Sequence, residues 1–330
     1  MGKPEEAASQ SRWSRIPAKL KWSIIAITAA VVILALGLGL GLGLTLGGGG
    51  GGEDNGALPQ PIPNTPTNLQ IWQPKVGQSW QIVLLQPINL SPTATTVTPD
   101  VDIYDIDLFT NNQSTIDALH RMGKKVICYF SAGSYEPNRP DSDKFTEKDQ
   151  GKGLEGWPGE RWLKLDSANV RSIMSKRIDL AAQKKCDAID PDNVDGFDNK
   201  NGLGLTKADT VNFVSFLATK AQSRGLAIGL KNAAAVIPSV LPAIQFSVNE
   251  QCVQYSDCLS FSAFTNASKP VFHIEYPSEV KADFVPNFCG DAGPAAGTSG
   301  FSTVVKNMNL DGFVKYCDGK QADTPMSPLP

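Results

Sequence analysis

The sequence predicts an α/β fold, a (β/α)8 TIM barrel preceded by a single N-terminal transmembrane helix. From Trp72 onward, amphipathic helical patterns, glycine breakers and short β-branched or apolar segments alternate along the chain. Eight predicted strands fill a length close to the ~250 residues that are typical of this barrel. These strands comprise residues 81–86, 101–107, 125–131, 187–191, 226–231, 244–250, 270–276 and 301–306.

Two units show the alternation clearly. Residues 115–121 have a helical pattern, Gly123 breaks it, and residues 126–130 are apolar and β-branched. Residues 207–230 repeat the arrangement around Gly225. A doubly wound open sheet is the alternative, but no Gly-x-Gly-x-x-Gly motif follows the first strand. The sequence therefore predicts no dinucleotide cofactor, and we expect no other cofactor.

The N-terminal segment predicts a membrane anchor. Residues 22–46 contain no charged residue and are long enough to cross ~30 Å of hydrocarbon as a helix. A cleaved signal peptide has a shorter apolar core of ~7–15 residues. Because a basic flank precedes the apolar run and stays in the cytosol, we expect a single-pass type II protein of the cell membrane with an extracellular folded domain.

The predicted domains follow from these composition shifts. They are a cytoplasmic tail at residues 1–21, a transmembrane signal anchor at 22–46, a Gly/Pro-rich linker at 47–70, the barrel at 71–320 and a C-terminal tail at 321–330. The formal charge is −3 overall and +3 within residues 1–46, so the remainder carries −6. An acidic exterior domain repels nucleic acid and attracts cationic ligands.

All six cysteines lie in the predicted exterior part, where an oxidising compartment permits disulfides. Spacing alone does not fix their connectivity. The suggested pairs are Cys252–Cys258, Cys289–Cys317 and, as the remainder, Cys128–Cys186. A zinc site is the competing interpretation, but there is no Cys-x-x-Cys pair, and His120 and His273 have structural surroundings. We therefore predict no metal. Sequons at Asn89, Asn112 and Asn266 fit a secreted glycoprotein.

Two acidic clusters follow predicted strands. The first, Asp190-Pro191-Asp192-Asn193-Val194-Asp195, comes directly after an apolar segment, and the second, Asn249-Glu250-Gln251, follows about two units later. Uncompensated charge is costly inside a sheet, so these acids must lie where strands emerge into a solvated cleft. Turn-forming, solvated acids are the alternative for each cluster. Two clusters at matching strand ends favour a two-carboxylate site, because barrel active sites collect there.

The other predicted strand ends carry the same residue types. They supply Asp105, Asp107, Tyr129, Ser131, Glu136, Lys231, Asn232, Glu275 and Tyr276. No Ser-His or Cys-His pair stands among them. Carboxylates with aromatic side chains suit glycoside chemistry, in which one acid protonates the leaving oxygen, a second attacks or stabilises the sugar cation, and aromatic faces stack on sugar rings.

Several linked motifs over residues 70–317 carry a resemblance. They are Trp72-Gln73-Pro74, Trp80-Gln81, Tyr104-Asp105-Ile106-Asp107, residues 128–136, Gly159-Glu160-Arg161-Trp162-Leu163, residues 190–196, Leu230-Lys231-Asn232, Asn249-Glu250-Gln251-Cys252 and Glu275-Tyr276. Together they resemble glycoside hydrolase family 114, the fungal and bacterial endo-α-1,4-polygalactosaminidases, and with the anchor its membrane-anchored fungal members. The resemblance implies a metal-free (β/α)8 barrel that acts on galactosamine-rich exopolysaccharide such as galactosaminogalactan.

The resemblance also implies a catalytic pair, an Asp after the fourth strand and a Glu after the sixth. These are Asp192 and Glu250, which we assign as nucleophile and proton donor. Asp190 lies two residues earlier on the same side of the strand and is the alternative nucleophile. The separation of the two carboxyl groups decides between retention and inversion, and the sequence leaves that open.

Further residues are expected to bind substrate. They are Asp107, Tyr129, Ser131, Glu136, Asp190, Asn193, Asp195, Lys231, Asn232, Gln251, Glu275 and Tyr276. De-N-acetylated galactosamine is a cation, so acids of the cleft, with Asp105 and Asp198 among them, could bind it through charge-assisted hydrogen bonds. Some of these acids are expected to be structural instead: Asp195-Gly196 as a turn, and Asp105 as a residue that orients a neighbour. Lys231 either binds sugar or neutralises a buried acid. Trp157 is expected to form a cleft wall, and Trp162 and Leu163 to pack in the core.

Two other functions fit less well. A non-catalytic carbohydrate-binding protein of the cell surface could use the same scaffold, but it would need neither Asp192 nor Glu250. A polysaccharide deacetylase or esterase normally requires a metal triad or a serine paired with histidine. The presence of two histidines in the whole chain makes that chemistry a poor match.

Overall fold

A computed structural model describes residues 69–277 and 288–329 of the chain. The predicted cytoplasmic tail, the anchor at residues 22–46 and nearly all of the linker lie outside these ranges. Within the described ranges, no helix is both long and apolar enough to cross a membrane.

The described chain contains thirteen strands. They are β1 (Trp80–Val83), β2 (Ile103–Asp107), β3 (Lys125–Ser131), β4 (Ser134–Tyr135), β5 (Gln150–Gly153), β6 (Arg161–Leu163), β7 (Ala188–Asp192), β8 (Ala227–Lys231), β9 (Phe246–Glu250), β10 (Val271–Glu275), β11 (Ser302–Val305), β12 (Phe313–Tyr316) and β13 (Gln321–Asp323). Ten of them form one sheet in the order β1-β2-β3-β7-β8-β9-β10-β11-β12-β13.

The eight predicted strands are the parallel part of this sheet, from β1 to β11. Each overlaps its predicted range, and helices connect several of them. The helices are Gln113–Arg121, Ala168–Gln183, Lys207–Gln222, Ile237–Val240, Cys252–Tyr255 and Ser262–Asn266. Two begin at good N-caps: the Ser167 hydroxyl accepts from the Val170 N–H, and Thr206 forms a capping box with Asp209. The architecture is a TIM-barrel-like α/β fold.

The sheet continues beyond the eight predicted strands. The antiparallel strands β12 and β13 follow β11, and the Gln81 amide donates to the Thr324 hydroxyl at 2.8 Å. The Ser327 N–H also donates to the Pro87 carbonyl. The predicted boundary at residue 320 is therefore wrong, because the folded part reaches at least Ser327. Strand β13 is only three residues long, and two of these residues are exposed and polar. The sequence therefore shows no apolar alternation that would predict this strand.

A small antiparallel sheet interrupts the barrel between β3 and β7. Its strand order is β4-β6-β5, and the turn between β5 and β6 carries Trp157 and Glu160. The Trp157 side chain is 54% exposed, whereas Trp162 on β6 is buried. As predicted, Trp162 and Leu163 belong to the buried part of the structure.

The inner face of the large sheet changes from apolar to charged along the strands. Residues two apart on a strand share a face. On β7 the inward series runs from Ala188 to Asp190 and Asp192, and on β9 it runs from Phe246 through Val248 to Glu250. The entry end of the barrel is thus filled by an apolar cluster, while the carboxyl ends of the strands present charged groups.

Three disulfides join the cysteines as the sequence suggests. The pairs are Cys128–Cys186, Cys252–Cys258 and Cys289–Cys317. The only possible metal-binding group among the described residues consists of Cys252, Cys258 and His273, and two of its members share a disulfide. Both histidines have structural partners: His120 Nε2 lies 2.8 Å from Asp187 Oδ2, and buried His273 lies 2.9 Å from Glu275.

Candidate active site

A cavity of about 370 Å³ lies at the carboxyl ends of the parallel strands. The last residues of three neighbouring strands, Asp192 on β7, Lys231 on β8 and Glu250 on β9, all line it. Because β8 lies between β7 and β9, the cation stands between the two carboxylates. The two acidic clusters of the sequence therefore meet in one site.

Asp192 is held by donors from two elements. The Tyr129 hydroxyl donates to its Oδ2 at 2.9 Å, and the Asn193 N–H donates to its Oδ1 at 2.7 Å. Burial, then the charge of Asp192, raises the pKa of Tyr129 well above its ordinary value. This phenol is therefore protonated and acts as a donor. The Asp192 side chain is 16% exposed, so substrate can reach it.

Glu250 has a matching set of donors. The Tyr276 hydroxyl donates to Oε1 at 2.5 Å, and the Asn232 amide donates to Oε2 at 3.0 Å. The side-chain carbonyl oxygen of Asn232 in turn accepts from the Glu250 N–H. Burial and the Glu250 charge raise the pKa of Tyr276 well above its ordinary value, which keeps it a donor. The Glu250 side chain is 22% exposed.

Lys231 connects the carboxylates. Its Nζ lies 3.5 Å from Asp192 Oδ2 and 3.6 Å from both Glu250 Oε2 and Asp190 Oδ2. Burial alone would lower the pKa of Lys231, but the charges of Asp192, Glu250 and Asp190 raise it well above its ordinary value. Of the two roles left open by the sequence, the contacts support neutralisation of acids, although Lys231 also lines the cavity.

The turns that follow these three strands share a conformation. Asn193, Asn232 and Gln251 have φ values of 59°, 48° and 61°, in the left-handed region. Non-glycine residues rarely adopt this region, and Asn is enriched among those that do. Each turn redirects the chain directly after an active-site side chain. Gly133 packs against the first turn, where an added Cβ would lie 1.8 Å from the Asn193 carbonyl oxygen.

Most predicted site residues line the cavity. Those that do are Asp192, Glu250, Tyr129, Glu136, Asn193, Asp195, Lys231, Asn232, Gln251 and Tyr276. Trp157 also lines it, as expected of a cleft wall.

Four predicted substrate-binding residues do not line the cavity. Asp107 is 1% exposed, and its Oδ2 lies 2.7 Å from the Arg139 guanidinium. Ser131 is also buried, and its Oγ lies 3.4 Å from the Tyr129 hydroxyl oxygen. Asp190 lies one layer deeper than Asp192 and is fully buried. These three face inward along their strands but are buried, so they do not reach the cavity.

Glu275 was expected at the site, but it lies on the opposite face of its strand. The inward residues of β10 are Phe272 and Ile274, so Glu275 points outward. There it accepts from the Val253 N–H at 2.7 Å and contacts His273. Tyr276, one residue later, faces the cavity. Asp198, also expected in the acidic cleft, is exposed and does not line the cavity.

Several lining residues were missed by the sequence analysis. They are Leu84, Leu85, Arg139, Glu160, Met308, Asn309 and Leu310. Leu84 follows β1 on its inward side, so the tendency of barrel active sites to collect at strand ends could have indicated it. Arg139 and Glu160 come from the insertion between β3 and β7, where nothing in the local pattern indicates which side chains turn toward the barrel.

The insertion distributes charge unevenly over the cavity wall. Arg139 binds Glu136 through two hydrogen bonds, of 2.8 and 3.0 Å, so the charge of that carboxylate is partly balanced. Glu160 and Asp195 have no ion-pair partner among the described residues. Burial, then the charge of Glu136, raises the pKa of Glu160 to about 7. Burial, then the charge of Asp192, raises the pKa of Asp195 to about 6. Near neutral pH these two acids give the wall unbalanced negative charge.

Comparison with known proteins agrees with this arrangement. Residues 62–322 match the profile of the glycoside-hydrolase family GH114. Ega3 of Aspergillus fumigatus, whose crystal structure is a complex with galactosamine, is 53% identical over 76% of this chain and 99% of its own, with a TM-score of 0.70. The glycoside hydrolase domain of PelA from Pseudomonas aeruginosa, 14% identical over 70% and 95% of the two chains with a TM-score of 0.55, shares the fold. No curated protein matches significantly. The chain therefore belongs to glycoside hydrolase family GH114 and is a glycoside hydrolase.

Proposed function

We propose that this enzyme is an endo-α-1,4-polygalactosaminidase that cleaves galactosamine linkages in a cationic, galactosamine-rich exopolysaccharide. The observation that carries the proposal is the meeting of Asp192 and Glu250 in one cavity whose wall holds unbalanced acids. The galactosamine complex of Ega3, with which this chain shares 53% identity, supports the choice of sugar.

The proposed chemistry assigns a separate role to each carboxylate. Asp192 attacks or stabilises the anomeric carbon, and Glu250 protonates the leaving oxygen. Asp192 suits the first role because the Asn193 N–H and the Tyr129 hydroxyl donate to its two oxygens and hold the carboxyl group in a fixed orientation at the cavity. Glu250 can transfer its proton at Oε1 or Oε2, with Tyr276 and Asn232 fixing the orientation of the carboxyl group.

The proposed substrate specificity rests on Glu160, Asp195 and Trp157. A galactosamine ammonium group would bind the two unpaired carboxylates through charge-assisted hydrogen bonds. The exposed Trp157 ring would offer a flat apolar face to a neighbouring sugar. Glu136 contributes less charge because Arg139 already binds it.

We propose that the sheet closes into a (β/α)8 barrel with this site at its mouth. Closure requires contacts between the first strand and the last ones. The Trp80 indole N–H donates to the Ser302 carbonyl at 2.8 Å, and the Tyr316 hydroxyl donates to the Trp80 carbonyl. These contacts support the closed barrel that we propose.

We also propose that residues 22–46 anchor the enzyme in the cell membrane with its catalytic domain outside. The support is the uncharged run with its basic flank, and the three disulfides, which are typical of extracytoplasmic proteins. Replacing residues 1–52 by a cleavable secretion signal should release active enzyme into the medium. Retention of that variant in the membrane fraction would contradict the anchor.

The substrate is tested by incubating the purified enzyme with partially deacetylated α-1,4-galactosamine oligomers and measuring product length. Shorter oligomers are expected, and none with the Asp192→Asn variant. Fully N-acetylated oligomers serve as the matched substrate control, because acetylation removes the ammonium charge. Added salt should weaken binding of the cationic oligomers, since exposed charges are screened over ~8–10 Å. Equal affinity for both oligomers would contradict the electrostatic part of the proposal.

A further inference from the structure

Two acids lie inside the barrel below the catalytic pair. Asp105 on β2 and Asp190 on β7 are both fully buried. Ile103 and Ala188, two residues before them, belong to the inner apolar cluster, so both acids face inward. None of their four carboxyl oxygens has a hydrogen-bond partner among the residues that the structure describes.

The charges around these acids do not balance if every carboxyl group is ionised. Lys231 is the cation that faces them, whereas Asp192 and Glu250 already approach its ammonium group to 3.5 and 3.6 Å. The phenols of Tyr129 and Tyr276 are uncharged and donate to Asp192 and Glu250, not to the two buried acids. A buried carboxylate without a donor or a cation is strongly destabilised, so a proton must reside in the lower layer.

The geometry separates the two lower acids. Asp190 Oδ2 lies 3.6 Å from Lys231 Nζ, whereas no cation lies within ion-pair distance of Asp105 among the described side chains. Burial, then the charge of Asp190, raises the pKa of Asp105 well above its ordinary value. Burial also raises the pKa of Asp190, to about 7, while Lys231 opposes the shift. Asp190 is thus the acid that ionises first.

We propose that Asp105 is a positioning residue that works as an uncharged carboxylic acid, packing beside Asp190 and leaving it the single counter-charge beneath Lys231. With one negative charge below it, the ammonium group remains shared with Asp192 and Glu250 above. A second charge below would draw Lys231 away from the catalytic pair. The kinetic part of this inference rests on the proposed function.

The protonation state is tested on the wild-type enzyme by infrared spectroscopy with ¹³C-labelled aspartate. The label excludes the glutamates, Glu160 and Glu250, from the signal. At a pH well above 7, where Asp190 is ionised, we expect one protonated aspartic acid band. The band should disappear in Asp105→Asn and persist in Asp190→Asn. Its absence from the wild type, or its persistence in Asp105→Asn, would overturn the proposal, and this measurement needs no substrate.

The positioning role is tested by a pair of substitutions at one site. Asp105→Ala should lower kcat about 10- to 100-fold with KM unchanged, because Asp190 and Lys231 lose their fixed arrangement. Asp105→Asn should recover most of that loss, since the amide is uncharged and of the same shape. A kcat of Asp105→Asn as low as that of Asp105→Ala would overturn the proposal by showing that the acid works as a charge. Inactivity of the wild type on the oligomers would instead contradict the proposed function.

Discussion

The upper and lower acids of the barrel's inner face have the same chemistry in different surroundings. Asp192 and Glu250 open onto the cavity, and each accepts hydrogen bonds from a tyrosine and from a second donor. Asp105 and Asp190 are fully buried one layer below. Environment therefore separates the acids that can reach substrate from those that act through Lys231, although all four stand at similar strand ends in the sequence.

The largest effect is expected at the upper acids. Glu250→Gln should lower kcat on galactosamine oligomers about 10²–10⁴-fold, because the amide cannot protonate the leaving oxygen. Substrates with an activated leaving group need little protonation and should be cleaved at a much smaller loss. Steady-state kinetics on the two substrate types measures the difference. An equal loss on both types would contradict the assignment of Glu250 as proton donor.

The second largest effect is expected at Lys231, the cation that contacts acids of both layers. Lys231→Met keeps the length of the side chain but removes the charge between Asp192, Glu250 and Asp190. We expect kcat to fall about 10²–10³-fold, the range typical of a lost electrostatic stabiliser. Circular dichroism should show a folded protein. Lys220→Met is the control and should keep its activity, since Lys220 forms an ion pair with the partly exposed Asp179 and does not line the cavity. Near-normal kcat for Lys231→Met would contradict the claim that the buried acids act on the catalytic pair through Lys231.

The cavity wall should control substrate binding with pH. In the free enzyme, Glu160 is ionised above its pKa of about 7 and Asp195 above about 6. As pH falls through 7 and then 6, these acids become neutral and lose their attraction for ammonium groups, so KM should rise several-fold. In Glu160→Gln the change in KM near pH 7 should disappear, while the change near pH 6 should remain. A wild-type KM for cationic oligomers that stays constant from pH 8 to 5 would contradict it.

The smallest effect is expected outside the cavity. Asp198 is exposed and Glu275 points away from the site, although both were expected in the cleft. Asp198→Asn should leave kcat and KM within about twofold of wild type, as for most surface substitutions. A large rise in KM would show that substrate extends beyond the cavity wall as the structure defines it.

The strand pattern predicted the parallel sheet and the two acidic strand ends that meet at the site. It expected both Glu275 and Tyr276 at the site, but only Tyr276 lines the cavity, because neighbouring residues on a strand point to opposite faces. It also missed that Arg139 binds both Asp107 and Glu136, since that contact joins a strand end to a long insertion. The burial of Asp190 depends on the side chains that pack over it from other strands, and no local sequence pattern predicts those contacts.

The most direct test compares one acid from each layer on the same strand. Asp192→Asn and Asp190→Asn are matched, nearly isosteric substitutions two residues apart, and kcat is measured for both on α-1,4-galactosamine oligomers. We expect Asp192→Asn to abolish turnover while oligomer binding persists, and Asp190→Asn to reduce kcat by a smaller factor. Near-normal kcat for Asp192→Asn together with inactivity of Asp190→Asn would contradict the account and move the nucleophile to the buried layer.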